Sequence, residues 1–151
     1  MAFEGLNDLY REVILDHFQH PRHHERVSPC DVEQEGYNPL CGDQIILQLK
    51  IDDQKISKIG FLGKGCSISQ ASASILTEET VGRSLSEIDH KVSFLKEVML
   101  GKKEIGTEEV GDMEALAGVK KFPVRIKCAL LAWTTLQEAL DFYKKRQGET
   151  P

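Results

Sequence analysis

Apolar residues recur at helical spacing over LNDLYREVILDHFQH, where Leu6, Leu9, Tyr10, Val13, Ile14 and Phe18 share one face of a predicted first helix. Asn7 suits its N-cap, and Pro21 stops the pattern. The polar stretch after it, residues 21–39, has no clear period beyond a short edge strand near Val32–Tyr37. Then the period changes. QIILQLKID and KISKIGFLG flank DDQ and predict a β-hairpin, which the edge strand completes into a small antiparallel sheet. CSISQASASILTEETVG predicts a second helix whose Ala and Ser residues permit close packing on the sheet, with Gly82 as its stop. SLSE, from Ser84 to Glu87, has the spacing of a capping box and opens a third helix running to about Leu100. GKKEIGTEEVGDMEALAGVKK is loop-rich, with a short helix near Met113–Ala117. The last helix opens at Pro123, carries Ile126, Leu130, Leu131, Trp133, Leu136 and Leu140, and fades in KKRQGETP. The pattern predicts an α+β fold: a three-stranded antiparallel sheet packed against about five helices.

Composition narrows the function. The 151 residues fit one domain, residues 1–151, able to bury a core without staples. A net charge of -5 argues against nucleic acid as a partner. The apolar runs are too short for a membrane span, and MAFEGLNDLYRE lacks the basic start and apolar stretch of a signal peptide. The expectation is a cytoplasmic protein with neither membrane nor nucleic acid as partner. In a reducing cytosol, Cys30, Cys41, Cys66 and Cys128 suggest metal or thiol chemistry more than disulfides.

Three of these cysteines fall near the ends of predicted elements, where side chains can converge. Cys41 lies in the turn before a strand, Cys66 where a strand hands over to a helix, and Cys128 in the second turn of the last helix. Cys41 and Asp43, separated by a glycine that tolerates unusual backbone angles, can point to one side of the turn. Such a pair can give two ligands to one ion, with Cys66 and Cys128 completing a tetrahedral set at Zn–S of about 2.3 Å. Arg125, Lys127 and Lys64 would offset the excess negative charge, and Arg125 shares a helical face with Cys128, placed to neutralise the site or to touch a partner. Chemistry alone leaves open both this metal site and a set of buried structural thiols.

Other residues take plainer readings. His17, His20, His23 and His24 span a helix C-terminus, where the dipole favours them without a metal. His90 is expected on an exposed helix face, TEE at 77–79 on a solvated one, Trp133 in the core, and Cys30 as a spare thiol.

NPLCGD at 38–43, GKGCSISQASAS at 63–74 and FPVRIKCALLAW at 122–133 together resemble the IscU-like iron–sulfur cluster assembly proteins, the family of the NifU N-terminal domain. The long stretch before the last cysteine, GDMEALAGVKKFPVRIKC, is similar to the SufU branch of Gram-positive bacteria. So is Lys127, which stands where scaffold-type members carry a histidine. Lysine, protonated at neutral pH, is a poor ligand in that place. The resemblance implies the same α+β fold and a Zn2+ ion held by Cys41, Asp43, Cys66 and Cys128. It implies a sulfurtransferase that accepts persulfide sulfur on Cys41 from a SufS-type cysteine desulfurase, with downstream Suf cluster-assembly proteins as further partners. Cys41, beside Gly42, is the thiol freest to move, and Arg125 is the second candidate catalytic residue. The alternative is a scaffold that assembles a transient [2Fe–2S] cluster on the same ligands.

Overall fold

The computed structural model describes residues 8–104 and 111–148. Asn7 and Leu6 of the expected first helix, and part of the loop before Met113, lie outside the described residues. In chain order the elements are α1 (Asp8–Gln19), β1 (Val32–Asn38), β2 (Asp43–Asp52), β3 (Lys55–Lys64), α2 (Ser67–Thr80), α3 (Leu85–Met99), α4 (Met113–Ala117), a 3₁₀ turn (Gly118–Lys121) and α5 (Pro123–Arg146). The strands form one antiparallel sheet in the order β1-β2-β3. This is the expected α+β arrangement.

The sheet is built by alternation. Ile45, Leu47, Leu49 and Ile51 of β2 point into the core, paired with inward-facing positions of β1 and β3. The two-residue turn between β2 and β3 puts Asp53 and Gln54 at φ 52° and 62°, the positive angles that let a tight hairpin follow the strand twist. The inward phase continues to both strand ends at the β1–β2 turn. There it places Asn38, paired with Asp43, and Asp43 itself on the core side.

Helix α5 lies across this inner face. Its buried residues Cys128, Ala129, Ala132, Leu136 and Ala139 recur at helical spacing. Close approach to β1 depends on Gly36: a Cβ there would fall 1.9 Å from the Thr135 hydroxyl oxygen. Trp133 is fully buried, and its indole N–H donates to the Ser72 hydroxyl oxygen of α2 at 2.9 Å. That hydroxyl in turn donates to the Ala129 carbonyl at 2.5 Å, so α2 and α5 are tied by a polar link inside the core. The basic residues Lys144, Lys145 and Arg146 carry α5 beyond the point where its apolar pattern fades, in the last turn where positive charge suits the helix dipole. Lys144 pairs with Asp89 of α3, and Arg146 donates to the Asp31 carbonyl.

Two sequence expectations change. The run at 77–79 is not a solvated face throughout. Thr77 is buried and its hydroxyl donates to the Ser74 carbonyl at 2.7 Å, while Glu79 pairs with Lys91 at 2.9 Å; only Glu78 is exposed. The cause is that α2 is covered nearly all round, by α1, α5 and the sheet. His17, too, is more than a favourable helix-end charge. It is fully buried, with Nδ1 2.7 Å from the Ser74 hydroxyl and Nε2 2.7 Å from Asp112, so it bolts α1 to α2 and to the residue before α4. His90 is exposed. Helix α3 opens on the expected capping box: the Ser84 hydroxyl accepts from the Glu87 N–H at 3.1 Å and the Glu87 carboxylate accepts from the Ser84 N–H at 3.4 Å.

Candidate metal centre

Four residues, 39–42, join β1 to β2. Asn38 folds this turn back on itself: its carbonyl accepts from the Cys41 N–H at 3.3 Å, and its side-chain oxygen accepts from the Leu40 N–H at 3.3 Å. Gly42 takes φ +69°, which returns the chain to the strand at Asp43. Cys41 is left half-buried at the tip, with exposed Leu40 beside it. Asp43 carries the inward phase of β2, and its carboxylate is fully buried.

The second approach comes from β3 and α2. Cys66 is the N-cap of α2, and its sulfur accepts from the Ser69 N–H at 3.4 Å. Its own N–H donates to Asp43 Oδ1 at 2.8 Å, and its sulfur lies 3.8 Å from Asp43 Oδ2. Gly65 makes this possible. At φ +143° its missing Cβ would sit 2.3 Å from Asp43 Oδ1 and 2.8 Å from Asp43 Cα. The third approach is α5, which starts at Pro123 and delivers Cys128 fully buried, its sulfur 3.2 Å from that of Cys41.

The sulfurs of Cys41 and Cys128 and a carboxylate oxygen of Asp43 all lie within 4.8 Å of one another. Cys66 stands against Asp43, just outside that group. Of the four residues that the sequence put forward as ligands, the structure groups Cys41, Asp43 and Cys128, and sets Cys66 against Asp43 at the edge of that group. Cys30 is in the loop before β1, away from the cluster. Among the described residues, the histidines of the first helix and loop do not converge on one another; His17 instead meets Glu78 and Asp112, an arrangement its hydrogen bonds already explain.

Charge at the centre is shared out by burial. Burial pushes the Cys128 thiol well above its ordinary range, with hydrogen bonds to Cys41 and Asp43 and the charges of Cys66 and Asp43 adding to the effect. Arg125, half-buried one helical turn before Cys128, behaves oppositely. Burial opposes its charge, but its hydrogen bond to Cys128 and the thiols of Cys66, Cys128 and Cys41 outweigh this and hold its pKa above the usual value. Lys127 and Lys64 are exposed. Asn38 is a participant that sequence reading passed over: buried, it donates from Nδ2 toward the Cys128 sulfur at 3.7 Å. Its signal was its place as the first residue of NPLCGD, in the inward phase of a strand.

Two thiols and one buried carboxylate, with the Cys66 sulfur against that carboxylate and cationic Arg125 beside the thiols, form a donor set that suits zinc. Exposed Tyr37 stands near the end of β1, exposed Leu40 on the turn that follows and exposed Val124 on the first turn of α5.

Comparison with known proteins agrees with this geometry. A relative from Streptococcus pyogenes serotype M1, named iron-sulfur cluster assembly scaffold protein IscU, is 43% identical over 140 residues, covering 93% of this chain and 87% of its own. One from Bacillus subtilis (strain 168), named zinc-dependent sulfurtransferase SufU, is 40% identical over 141 residues, covering 93% of this chain and 95% of its own. The crystal structure of a putative iron-sulfur cluster assembly scaffold protein for the SUF system from Fervidobacterium islandicum AW-1 superposes with a TM-score of 0.80 at 35% identity, over 85% of this chain and 94% of that one. The NifU-like N terminal domain family matches residues 9–150, and with relatives this similar over nearly its whole length the chain belongs to that family, in its IscU and SufU group.

Proposed function

We propose that this chain is a zinc-dependent sulfur acceptor that takes persulfide sulfur on Cys41 from a SufS-type cysteine desulfurase and hands it toward iron–sulfur cluster assembly. The observation that carries the reading is the contrast among the three thiols. Cys128 is fully buried on a long helix, Cys66 is fixed as a helix cap, and Cys41 is half-exposed on a four-residue turn. Zinc held by Cys41, Asp43, Cys66 and Cys128 would keep the thiols as thiolates at neutral pH. The Cys41 thiolate attacks the outer sulfur of the partner's persulfide. A new S–S bond forms on Cys41, the partner's S–S bond breaks, and its electron pair stays on the partner's cysteine thiolate. Arg125 supplies positive charge beside the thiols during this exchange. The exposed apolar residues Leu40, Tyr37 and Val124 fit a protein as the sulfur donor, since a free small molecule needs no such rim.

The second reading is a scaffold that assembles a transient [2Fe–2S] cluster, and the 43% identical relative bears that name. Lys127 weighs against it: the residue beside Cys128 is an exposed lysine, which adds no strong metal ligand there. The test is direct. The chain, its bound metal measured first, is mixed with the desulfurase and cysteine, and sulfur on each cysteine is located by mass spectrometry. Bound zinc, sulfur on Cys41 and none gained by Cys41→Ala are expected. Full acceptance by Cys41→Ala overturns the reading, and tightly held iron with a coloured, transferable cluster favours the scaffold.

A further inference from the structure

The sulfurs of Cys41 and Cys128 face each other at 3.2 Å, and their surroundings differ sharply. Cys128 is sealed in the core, whereas Cys41 is half-exposed. At 3.2 Å the two sulfurs are within reach of each other, and of the two only Cys41 has the exposure to take an added atom and to release it. We propose that Cys128 is the resolving cysteine for a persulfide on Cys41: in the chain without its ion, Cys128 attacks the Cys41 sulfur, a Cys41–Cys128 disulfide forms, and hydrogen sulfide leaves.

This deepens the reading of Cys41 as sulfur acceptor and rests on it. The step balances without an outside oxidant. The S–S bond between Cys41 and the outer sulfur breaks, and the S–H bond of Cys128 breaks. A bond forms between the two cysteine sulfurs, and the outer sulfur leaves with the electron pair and that proton. The outer sulfur is reduced to sulfide while the two cysteines are oxidised to a disulfide.

Two alternatives are less well placed. Attack on the outer sulfur would leave the extra atom on Cys128, where Asn38 Nδ2 already stands 3.7 Å away and no surface is exposed. Attack by Cys66 would have to break its cap to the Ser69 N–H, and its sulfur lies outside the tight group of Cys41, Asp43 and Cys128. Closing 3.2 Å to a disulfide of about 2.05 Å asks for a movement of about 1 Å. The four-residue turn that carries half-exposed Cys41 can supply it. The consequence is a safeguard: a chain that has taken sulfur without its metal discharges it as sulfide and ties up two of its own ligands until a thiol reductant reopens them.

The test uses the full chain stripped of metal with a chelator, its fold checked by Trp133 fluorescence. Inorganic polysulfide loads the sulfur, excess reagent is removed by gel filtration, and sulfide and cysteine pairing are followed over time. Expected are one hydrogen sulfide released per disulfide formed, a Cys41–Cys128 linked peptide, and at least a tenfold slower release from Cys128→Ser with the persulfide retained on Cys41. Because the wild-type peptide map decides the pairing by itself, a Cys128→Ser chain that fails to fold does not remove the test. A wild-type persulfide that persists, a disulfide from Cys41 to Cys66 or Cys30, or sulfur recovered on Cys128 overturns the proposal. Polysulfide replaces the desulfurase here, so failure of transfer from that enzyme sinks the proposed function without touching this result. A Cys41 persulfide that forms from the enzyme and then persists once the chain is stripped of metal does the reverse.

Discussion

Gly65→Ala is the most informative single change to the centre. A methyl at this position lands 2.3 Å from Asp43 Oδ1, 2.8 Å from Asp43 Cα and 3.0 Å from Asp43 Cβ, all atoms of a fully buried residue. The backbone at φ +143° is also one that only glycine adopts without strain. Strain of about 1–3 kcal/mol and overpacking of about 1–3 kcal/mol together give a loss of roughly 4 kcal/mol. For a chain of this size that is a fall in Tm of roughly 8–16 °C. The clash is relieved by moving Asp43, which breaks its bond to the Cys66 N–H and turns a proposed ligand away, so zinc affinity should fall by about 10–100-fold. Gly42→Ala is the control. It also has positive φ, at +69°, but nothing lies within 4 Å of its Cβ, so only the left-handed backbone penalty of about 1 kcal/mol applies. Thermal unfolding by circular dichroism and zinc competition with a chromogenic chelator read both effects. Equal losses of Tm and of zinc affinity in the two variants would refute the argument that Gly65 makes room for Asp43.

Two further outcomes are expected away from the centre. Ser72→Ala leaves the Trp133 indole N–H buried without its acceptor, a loss of about 1–3 kcal/mol that denaturant unfolding should show, and the fluorescence of the single tryptophan should shift with it; an unchanged midpoint and spectrum refute the link between α2 and α5. Hydrogen bonds from the Ser84 N–H and then its hydroxyl hold the Glu87 carboxyl below its ordinary 4.5, so its contribution is present above that value and is lost as pH falls through the lower folded value. The Tm gap between wild type and Glu87→Gln should therefore be wider at about pH 7 than at about pH 3, and a constant gap would refute the capping box as its source.

Most of the elements were legible because the periodicity changes where they change. Helix α1 has an apolar stripe, β2 alternates, and the capping box at Ser84 marks the start of α3 by its spacing alone. The reading failed where those signals stop working. Helix α2 has no solvated face for most of its length, so its polar Ser72, Ser74 and Thr77 point inward; Ser72 and Ser74 find partners on other elements, and Thr77 donates to the Ser74 carbonyl of its own helix. A local pattern cannot show this, because Ser72 meets Ala129 across 57 residues. His17 is the same case. Its buried ring is paid for by Ser74 and Asp112, 57 and 95 residues away, and nothing in DHFQH announces either.

The centre divides along the same line. The neighbourhood of Cys41 and Asp43 was legible from Cys41, Gly42 and Asp43 alone, because a glycine turn entering a strand lets an i, i+2 pair face one side. The reach of Cys66 and Cys128 to that pair was not, and came from the three motifs taken together. What the structure adds is the reason the pair matters. Asp43 stands in phase with Ile45, Leu47 and Leu49, so the alternation of β2 drives a carboxylate into the core whatever its chemistry prefers. A buried carboxylate is tolerated only when paired. Here the N–H of Cys66 takes one oxygen, the thiols crowd the other, and Arg125 stands beside those thiols. The sheet thus creates an electrostatic demand at one end of its inner face, and the cap of α2 and the second turn of α5 are the two places from which cysteines answer it. A change that shifts the register of β2 by one residue would turn Asp43 outward and dissolve the centre, even with all three cysteines intact.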